Sequence, residues 1–185
     1  MRMYVVFEKG ERLRHIGHLD IMRAFQRCFI RAGVEMIYST GFSPHQKMTF
    51  AQPLGVGALS CGEYLDAEIA DGQDPDAVLL AMKAQIGPGF RLFGIYELEE
   101  NAEKCMAAVR YASYTAEITE GEVPDITPFV QAEHVITLKR TKSGEKETDI
   151  KPFVMKLGQD GGKIDMTLLA GEKNLKPDLL MQEIY

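Results

Sequence analysis

Apolar and polar residues alternate at the start of the chain and then change to a helical spacing. Residues 4–7 predict a short β-strand, and the strand pattern resumes at residues 13–16. From His18 onward, apolar residues recur every three or four positions, which predicts an amphipathic helix over residues 18–32. Gly33 favours the end of this helix, because glycine readily adopts the left-handed backbone conformation.

Strand and helix patterns continue to alternate up to residue 98. Further strands are predicted at residues 34–39, 47–50, 63–69 and 90–98. Asp74 predicts the cap of a second helix, whose first position is Pro75. The order β-α-β-β-α-β is that of the ferredoxin-like fold. Right-handed connections would place both helices on one face of an antiparallel sheet.

A second, shorter set of elements follows. Strands are predicted at residues 111–119, 134–141, 147–157 and 162–170, helices at 126–132 and 179–184, and a turn at 142–145. This order, β-α-β-β-α, resembles that of the first set, and the boundary is predicted near Lys104. The predicted fold class is therefore α+β, with a ferredoxin-like unit over residues 1–103. A second ferredoxin-like α+β unit, smaller or truncated at its C-terminus, is predicted over residues 104–185.

Charge is distributed unevenly along the chain. The 185 residues carry a net charge of −6, which disfavours a generic nucleic-acid-binding protein. Residues 1–50, however, hold eight of the 21 lysines and arginines and only four of the 27 acidic residues, so they carry +4 and the rest carries −10. This asymmetry predicts one basic surface on an otherwise acidic protein.

Several classes of protein are disfavoured by the sequence. No apolar run approaches the roughly 20 residues of a membrane helix. The N-terminus lacks the features of a signal peptide, so a cytoplasmic location without a membrane partner is expected. Cys28, Cys61 and Cys105 are far apart and form no CxxC pair. Neither an iron–sulfur cluster nor zinc is therefore expected, no other cofactor is indicated, and Cys28 is predicted to be a core residue.

Residues 12–54 concentrate the candidate binding chemistry. Arg23, Arg27 and Arg31 are spaced four apart, which predicts a row on one side of the first helix. Guanidinium groups bind phosphate through paired hydrogen bonds, although such a row is also typical of a solvated helix face. Residues 41–47 predict a sharply turning loop that presents backbone donors to an anion or a base. In this loop, Phe42 is a candidate for stacking on a base or for filling the core beneath it.

The histidines admit several roles. His15 and His18 are candidates for acid–base groups, and together with His45 they are candidates for metal ligands, although no metal site is expected. His18 is also suited to capping the first helix. No complete catalytic signature is present. The predicted anion-binding residues are His15, His18, Arg23, Arg27, Arg31, Phe42, Ser43, His45 and Lys47.

Two expectations concern how these residues are arranged. The loop is expected to fold over the N-terminus of the first helix, so that His18 and His45 flank one anion. Glu63 and Asp66 are three apart in a predicted strand and should therefore point to opposite faces, which makes them a poor pair for acid–base catalysis.

Several motifs together resemble a known bacterial family. They are HLDIMRAFxR from His18, RAG from Arg31, YSTGFSPHxK from Tyr38, PLGVG from Pro53, GEYLD from Gly62 and ETDIKP from Glu147. This combination resembles the radical-SAM-linked, or radical-SAM-associated, proteins, a domain of unknown function. Ser43 and Gln46 stand where asparagine and proline are expected in the family loop.

The resemblance implies a partner rather than a reaction. Members of the family stand beside, or are fused behind, a radical-SAM enzyme with a cobalamin-binding-type domain. Their genes often lie near those of an RNase E/G-type ribonuclease and ribosomal proteins. An accessory or substrate-presenting role, with RNA as a candidate substrate, is therefore implied, and no catalytic residue is. The alternatives are a metal-independent RNA-processing enzyme that uses histidine as acid and base, and a purely protein-binding module.

Overall fold

The protein folds into two compact units, Met1–Ala108 and Val109–Tyr185. They are seen in a computed structural model that describes residues 1–141, 144–171 and 173–185. The described residues form antiparallel sheets and five α-helices, so the predicted α+β class is confirmed.

The first unit contains one four-stranded sheet. Its elements are β1 (Arg2–Lys9), a 3-10 helix (Glu11–Leu13), α1 (His18–Arg31), β2 (Met48–Phe50), β3 (Ser60–Glu68), α2 (Pro75–Gln85), β4 (Phe90–Leu98) and α3 (Cys105–Ala108). The strands are antiparallel in the order β2-β3-β1-β4. The predicted first residue of α1, the Asp74 cap of α2 and the bounds of β4 are confirmed.

The core of this unit lies between one face of the sheet and the helices α1 and α2. On β1 every second residue is buried, as the alternating sequence predicts. At the centre, the Phe25 ring of α1 contacts the rings of Phe7, Phe50 and Phe90 at centroid distances of 4.7, 5.8 and 5.3 Å. Cys28 is fully buried as predicted, and burial raises the pKa of its thiol to about 11.

Two strand predictions in the first unit are wrong. Residues 13–16 comprise the end of the 3-10 helix and the turn after it, and the Leu13 side chain packs over Gly89. Residues 34–39 form only two isolated bridges, Met36 with Ile69 and Tyr38 with Gln46. Its backbone bonds to Glu68 and Ala70 on one side and to His45 and Lys47 on the other, but these contacts are too few to form a continuous strand.

The second unit contains two separate small sheets. Its elements are β5 (Tyr111–Glu117), α4 (Thr127–Gln131), β6 (Ile136–Thr141), β7 (Gly144–Asp149), a 3-10 helix (Lys151–Phe153), β8 (Val154–Asp160), β9 (Lys163–Leu169) and α5 (Pro177–Ile184). The order β5-β9-β8 forms an antiparallel sheet, and β6 pairs with β7 alone.

The long strand predicted over residues 147–157 is divided in the structure. The Asp149 carboxylate accepts a hydrogen bond from the Lys151 amide at 3.1 Å, which stabilises a turn. Pro152 then lies in the 3-10 helix, where its missing amide hydrogen costs little. The predicted turn at 142–145 includes Lys142 and Ser143, which lie outside the described residues.

Candidate functional site

The outer side of α1 presents the predicted arginines to solvent. Arg23, Arg27 and Arg31 are all exposed, since Phe25, Cys28 and Phe29 direct the other side of the helix into the core. Arg23 forms an ion pair with Asp20, with 2.9 Å between Nη1 and Oδ1. None of the ion pairs between described residues involves Arg27 or Arg31. These two guanidinium groups are therefore available to an anion.

The loop before β2 is closed by contacts between Ser39 and His45. The Ser39 amide donates to the His45 carbonyl at 2.8 Å, and the His45 amide donates to Ser39 Oγ at 3.1 Å. The same hydroxyl lies 2.8 Å from His45 Nδ1. Gly41, at a φ of 126°, makes the sharp bend in the loop. Phe42 and Ser43 are exposed beside it, so Phe42 does not fill the core beneath the loop.

The base of this loop lies against the middle of α1. The buried Gln46 side chain donates through Nε2 to the Gln26 carbonyl at 3.4 Å, on the turn of α1 that also carries Arg27. Gln46 Oε1 is buried and has no hydrogen-bond partner among the described residues. Lys47 is engaged elsewhere, because its ammonium lies 2.9 Å from the Glu68 carboxylate.

The histidines lie in different places. The ring of His18 packs edge-on against Phe50, the last residue of β2, with 5.0 Å between centroids. His45 instead precedes β2 and bonds to Ser39, and His15 is exposed in the turn before α1. The loop contacts α1 at Gln26, about 12 Å along the helix from His18. The described contact between the loop and α1 is therefore at Gln26 and not at His18.

A partly buried polar cluster that the sequence did not predict surrounds His18. The alternation that buries Phe7 on β1 also directs Lys9 inward, where only 2% of it is exposed. Its ammonium donates to the Gly55 carbonyl at 3.2 Å. Burial lowers the pKa of Lys9 and of His18, and it raises the pKa of Glu63. The alternation of the strands could have indicated this cluster, since Lys9 and Glu63 occupy inward-facing positions of β1 and β3.

The cavity inside this cluster is small. It is lined by Phe7, Lys9, His18, Ile21, Phe50, Gln52, Leu54 and Glu63 and has room for about one water molecule.

The expected separation of Glu63 and Asp66 is confirmed. Glu63 lines the cavity, whereas Asp66 accepts a hydrogen bond from Arg2 at 2.6 Å on the other face of the sheet.

We expect Glu63→Gln to become more stable relative to the unaltered protein as the pH rises from about 4 to about 8. The raised pKa means that ionised Glu63 is less favourable in the folded state than in the unfolded chain. The unaltered protein therefore loses stability as the pH rises from the unfolded pKa through the folded pKa, and the glutamine variant does not. Urea unfolding across this range measures the difference. Glu97→Gln, at an exposed position of β4, is the control and should show no such trend.

These features define an α+β protein whose first unit carries an exposed cationic helix face beside a closed loop. Among the described residues, no group of three or more histidine, cysteine or acidic side chains is placed to hold a metal ion. No α-helix in the described part of the chain has both the length and the apolar character needed to cross a membrane.

Residues 2–177 match a family described as an uncharacterized protein conserved in bacteria, DUF2344, and the chain belongs to this family. No curated protein matches the chain.

Proposed function

We propose that this protein is a non-catalytic accessory protein that binds RNA, or another phosphorylated substrate, for a radical-SAM enzyme in the cytoplasm. The observation that carries the proposal is the exposed pair Arg27 and Arg31, which are free of carboxylates within the described structure. The radical-SAM partner is supported by the motif resemblance, which runs from His18 to Pro152.

The arginine row suits a phosphate backbone. Residues four apart on a helix lie about 6 Å apart along its axis, so Arg27 and Arg31 can contact separate phosphates of one strand. The nearby loop adds the exposed ring of Phe42, which is available to stack on a base. The net charge of the chain is −6, which repels the phosphates of RNA. Binding would therefore be confined to the cationic surface of α1.

The strand order supports a ferredoxin-like assignment as part of this proposal. In the first unit, the element order β-α-β-β-α-β accompanies the antiparallel sheet order β2-β3-β1-β4. In the second unit, the sheet β5-β9-β8 with the helices α4 and α5 supports a smaller variant of the same arrangement. Function is argued from the surface of α1 and not from this fold, because such folds host many activities.

The cluster around His18 favours binding over RNA cleavage. An acid–base mechanism requires a histidine within hydrogen-bond reach of the reacting group. His18 is partly buried against Phe50 and faces a cavity with room for about one water molecule, which cannot admit a phosphodiester. His15 and His45 are exposed, so an RNA-cleavage assay is the experiment that separates binding from cleavage for these two histidines. RNA recovered intact after incubation with the protein would agree with a binding role.

We expect Arg27→Ala/Arg31→Ala to weaken the binding of a single-stranded RNA of about twelve nucleotides and to flatten its salt dependence. Each lost phosphate contact reduces the slope of log K against log salt by about 0.7 for a single strand, so the double variant should lose about 1.4. Fluorescence anisotropy between about 50 and 200 mM KCl measures both the affinity and the slope.

The control variant removes two positive charges from other positions on the protein. Lys83→Ala/Lys163→Ala changes exposed cations on α2 and β9 and should leave the slope nearly unchanged. If both double variants behave alike, the arginine row is only a solvated helix face and the proposed function is wrong.

A further inference from the structure

The face of the first sheet that points away from α1 and α2 carries tyrosines on its central strands and on β4. The strand register places Val6 of β1 between Tyr64 of β3 and Gly94 of β4. In the next row it places Tyr4 between Asp66 and Tyr96. Tyr64 and Tyr96 are 44% and 60% exposed. This face therefore presents aromatic rings beside a residue that has no side chain.

Gly94 allows the ring of Tyr96 to lie over the strand. A Cβ atom at position 94 would lie 2.8 Å from Tyr96 Oη and 3.0 Å from two ring carbons, closer than such atoms approach. The ring consequently covers the backbone of Gly94 with one side. Because Tyr96 remains largely exposed, the opposite side of the ring faces solvent. A flat ring held in this way provides a surface for another planar ring.

At the far end of this face, polar and charged groups are bonded to one another. Tyr64 meets Tyr4 edge to face, with 6.5 Å between ring centroids. Residues 102–105 cover the far end of the face, where Arg2 donates to the Ala102 carbonyl at 2.6 Å and Tyr4 donates to the Glu103 carbonyl at 3.0 Å. Arg2 is also engaged by Asp66, so its charge is compensated. The charges at this end are thus engaged, and the exposed rings of Tyr64 and Tyr96 are left open.

We propose that Tyr64 and Tyr96 form a stacking platform for the bases of single-stranded RNA. Sheets of this topology bind RNA when aromatic side chains on the open face stack on unpaired bases, and stacking tolerates any base because every base has a π face. The inference rests on the proposed function and deepens it. Because α1 packs on the opposite face of the sheet, its arginines and the platform would contact different nucleotides of one strand.

The test compares two probes of equal charge. One is a labelled oligouridylate of about twelve nucleotides, and the other is an abasic strand with the same number of phosphates. We expect the protein to bind the base-bearing strand more tightly. Tyr64→Leu and Tyr96→Leu should each weaken oligouridylate binding about tenfold, without changing abasic binding or the salt slope. Tyr96→Phe, which keeps the ring, should retain the parent affinity for oligouridylate.

Each outcome discriminates between the two proposals. If the protein binds both strands equally in a salt-dependent way, the platform is wrong and the proposed function stands. If it binds neither strand, the proposed function fails, and the platform fails with it. If the leucine variants bind RNA normally but no longer associate with the radical-SAM enzyme, the tyrosines form a protein-docking surface and the platform is overturned. Circular dichroism spectra that match those of the parent protein show that the variants are folded.

Discussion

Phe25→Ala should lower the free energy of unfolding of the first unit by about 3 to 5 kcal/mol. The Phe25 ring is fully buried and contacts three other phenylalanines, from β1, β2 and β4. Removing it leaves a cavity and abolishes these aromatic contacts, which contribute beyond the area they bury. Because these contacts anchor α1, the variant should also lose the proposed RNA binding at temperatures where it begins to unfold. Urea unfolding monitored by hydrogen exchange in residues 1–108 measures the change.

Two further variants check this explanation. Phe25→Leu refills most of the space and should cost clearly less than alanine. Leu19→Ala removes a residue of α1 that is 60% exposed, so it should change stability by less than about 1 kcal/mol. A cost for Leu19→Ala equal to that of Phe25→Ala would show that the helix is not held by its inner side.

Asp66→Ala should destabilise the first unit by about 3 kcal/mol, because it leaves the Arg2 charge without a partner in a largely buried position. The Asp66 carboxylate holds Arg2 of β1 at 2.6 Å and also accepts from the amide of Cys105 at 3.5 Å. The hydrogen bond to Asp66 raises the pKa of Arg2 above its ordinary value. We also expect residues 102–105 to exchange their amide hydrogens faster in the variant, which hydrogen-exchange mass spectrometry detects.

The same strand offers a matched control. Glu68 pairs with Lys47 at the surface, so Glu68→Ala should cost less than about 1 kcal/mol. Replacing both partners, in Arg2→Leu/Asp66→Leu, removes the unpaired charge and should recover part of the loss. Equal costs for Asp66→Ala and Glu68→Ala would contradict the anchoring role of Asp66.

Local signals explain which parts of the fold were predictable from sequence. Asp74 and Pro75 begin α2 because the cap and the first helical position are defined by adjacent residues. The spacing of apolar residues on α1 correctly indicates the burial of Phe25 and Phe29, but Leu19 and Ile30, which share that spacing, are exposed. Residues 34–39 have the composition of a strand, but whether they join a sheet depends on a neighbour distant in sequence. The division near Asp149 and Pro152 follows from turn contacts that the apolar pattern does not record.

The candidate site likewise has parts that the sequence predicts and parts that it does not. The exposure of Arg27 and Arg31 follows from helix periodicity alone, so the sequence predicts it. The cluster of Lys9, His18 and Glu63 requires the pairing of β1 with β3 and the packing of α1 upon them. The arrangement of Tyr96 over Gly94 depends on the conformation of a single side chain, which no sequence pattern specifies.

The closed loop that carries Phe42 has an entropic consequence for recognition. Both chain ends of the loop are tied together by the bonds between Ser39 and His45, and its base is tied to Gln26 through Gln46. An aromatic residue on a loose loop loses much conformational freedom when a ligand immobilises it. Here the bonds at the base of the loop form on folding, before any ligand is present. If Phe42 stacks on a base as proposed, ordering the backbone of its loop therefore costs less of the binding free energy.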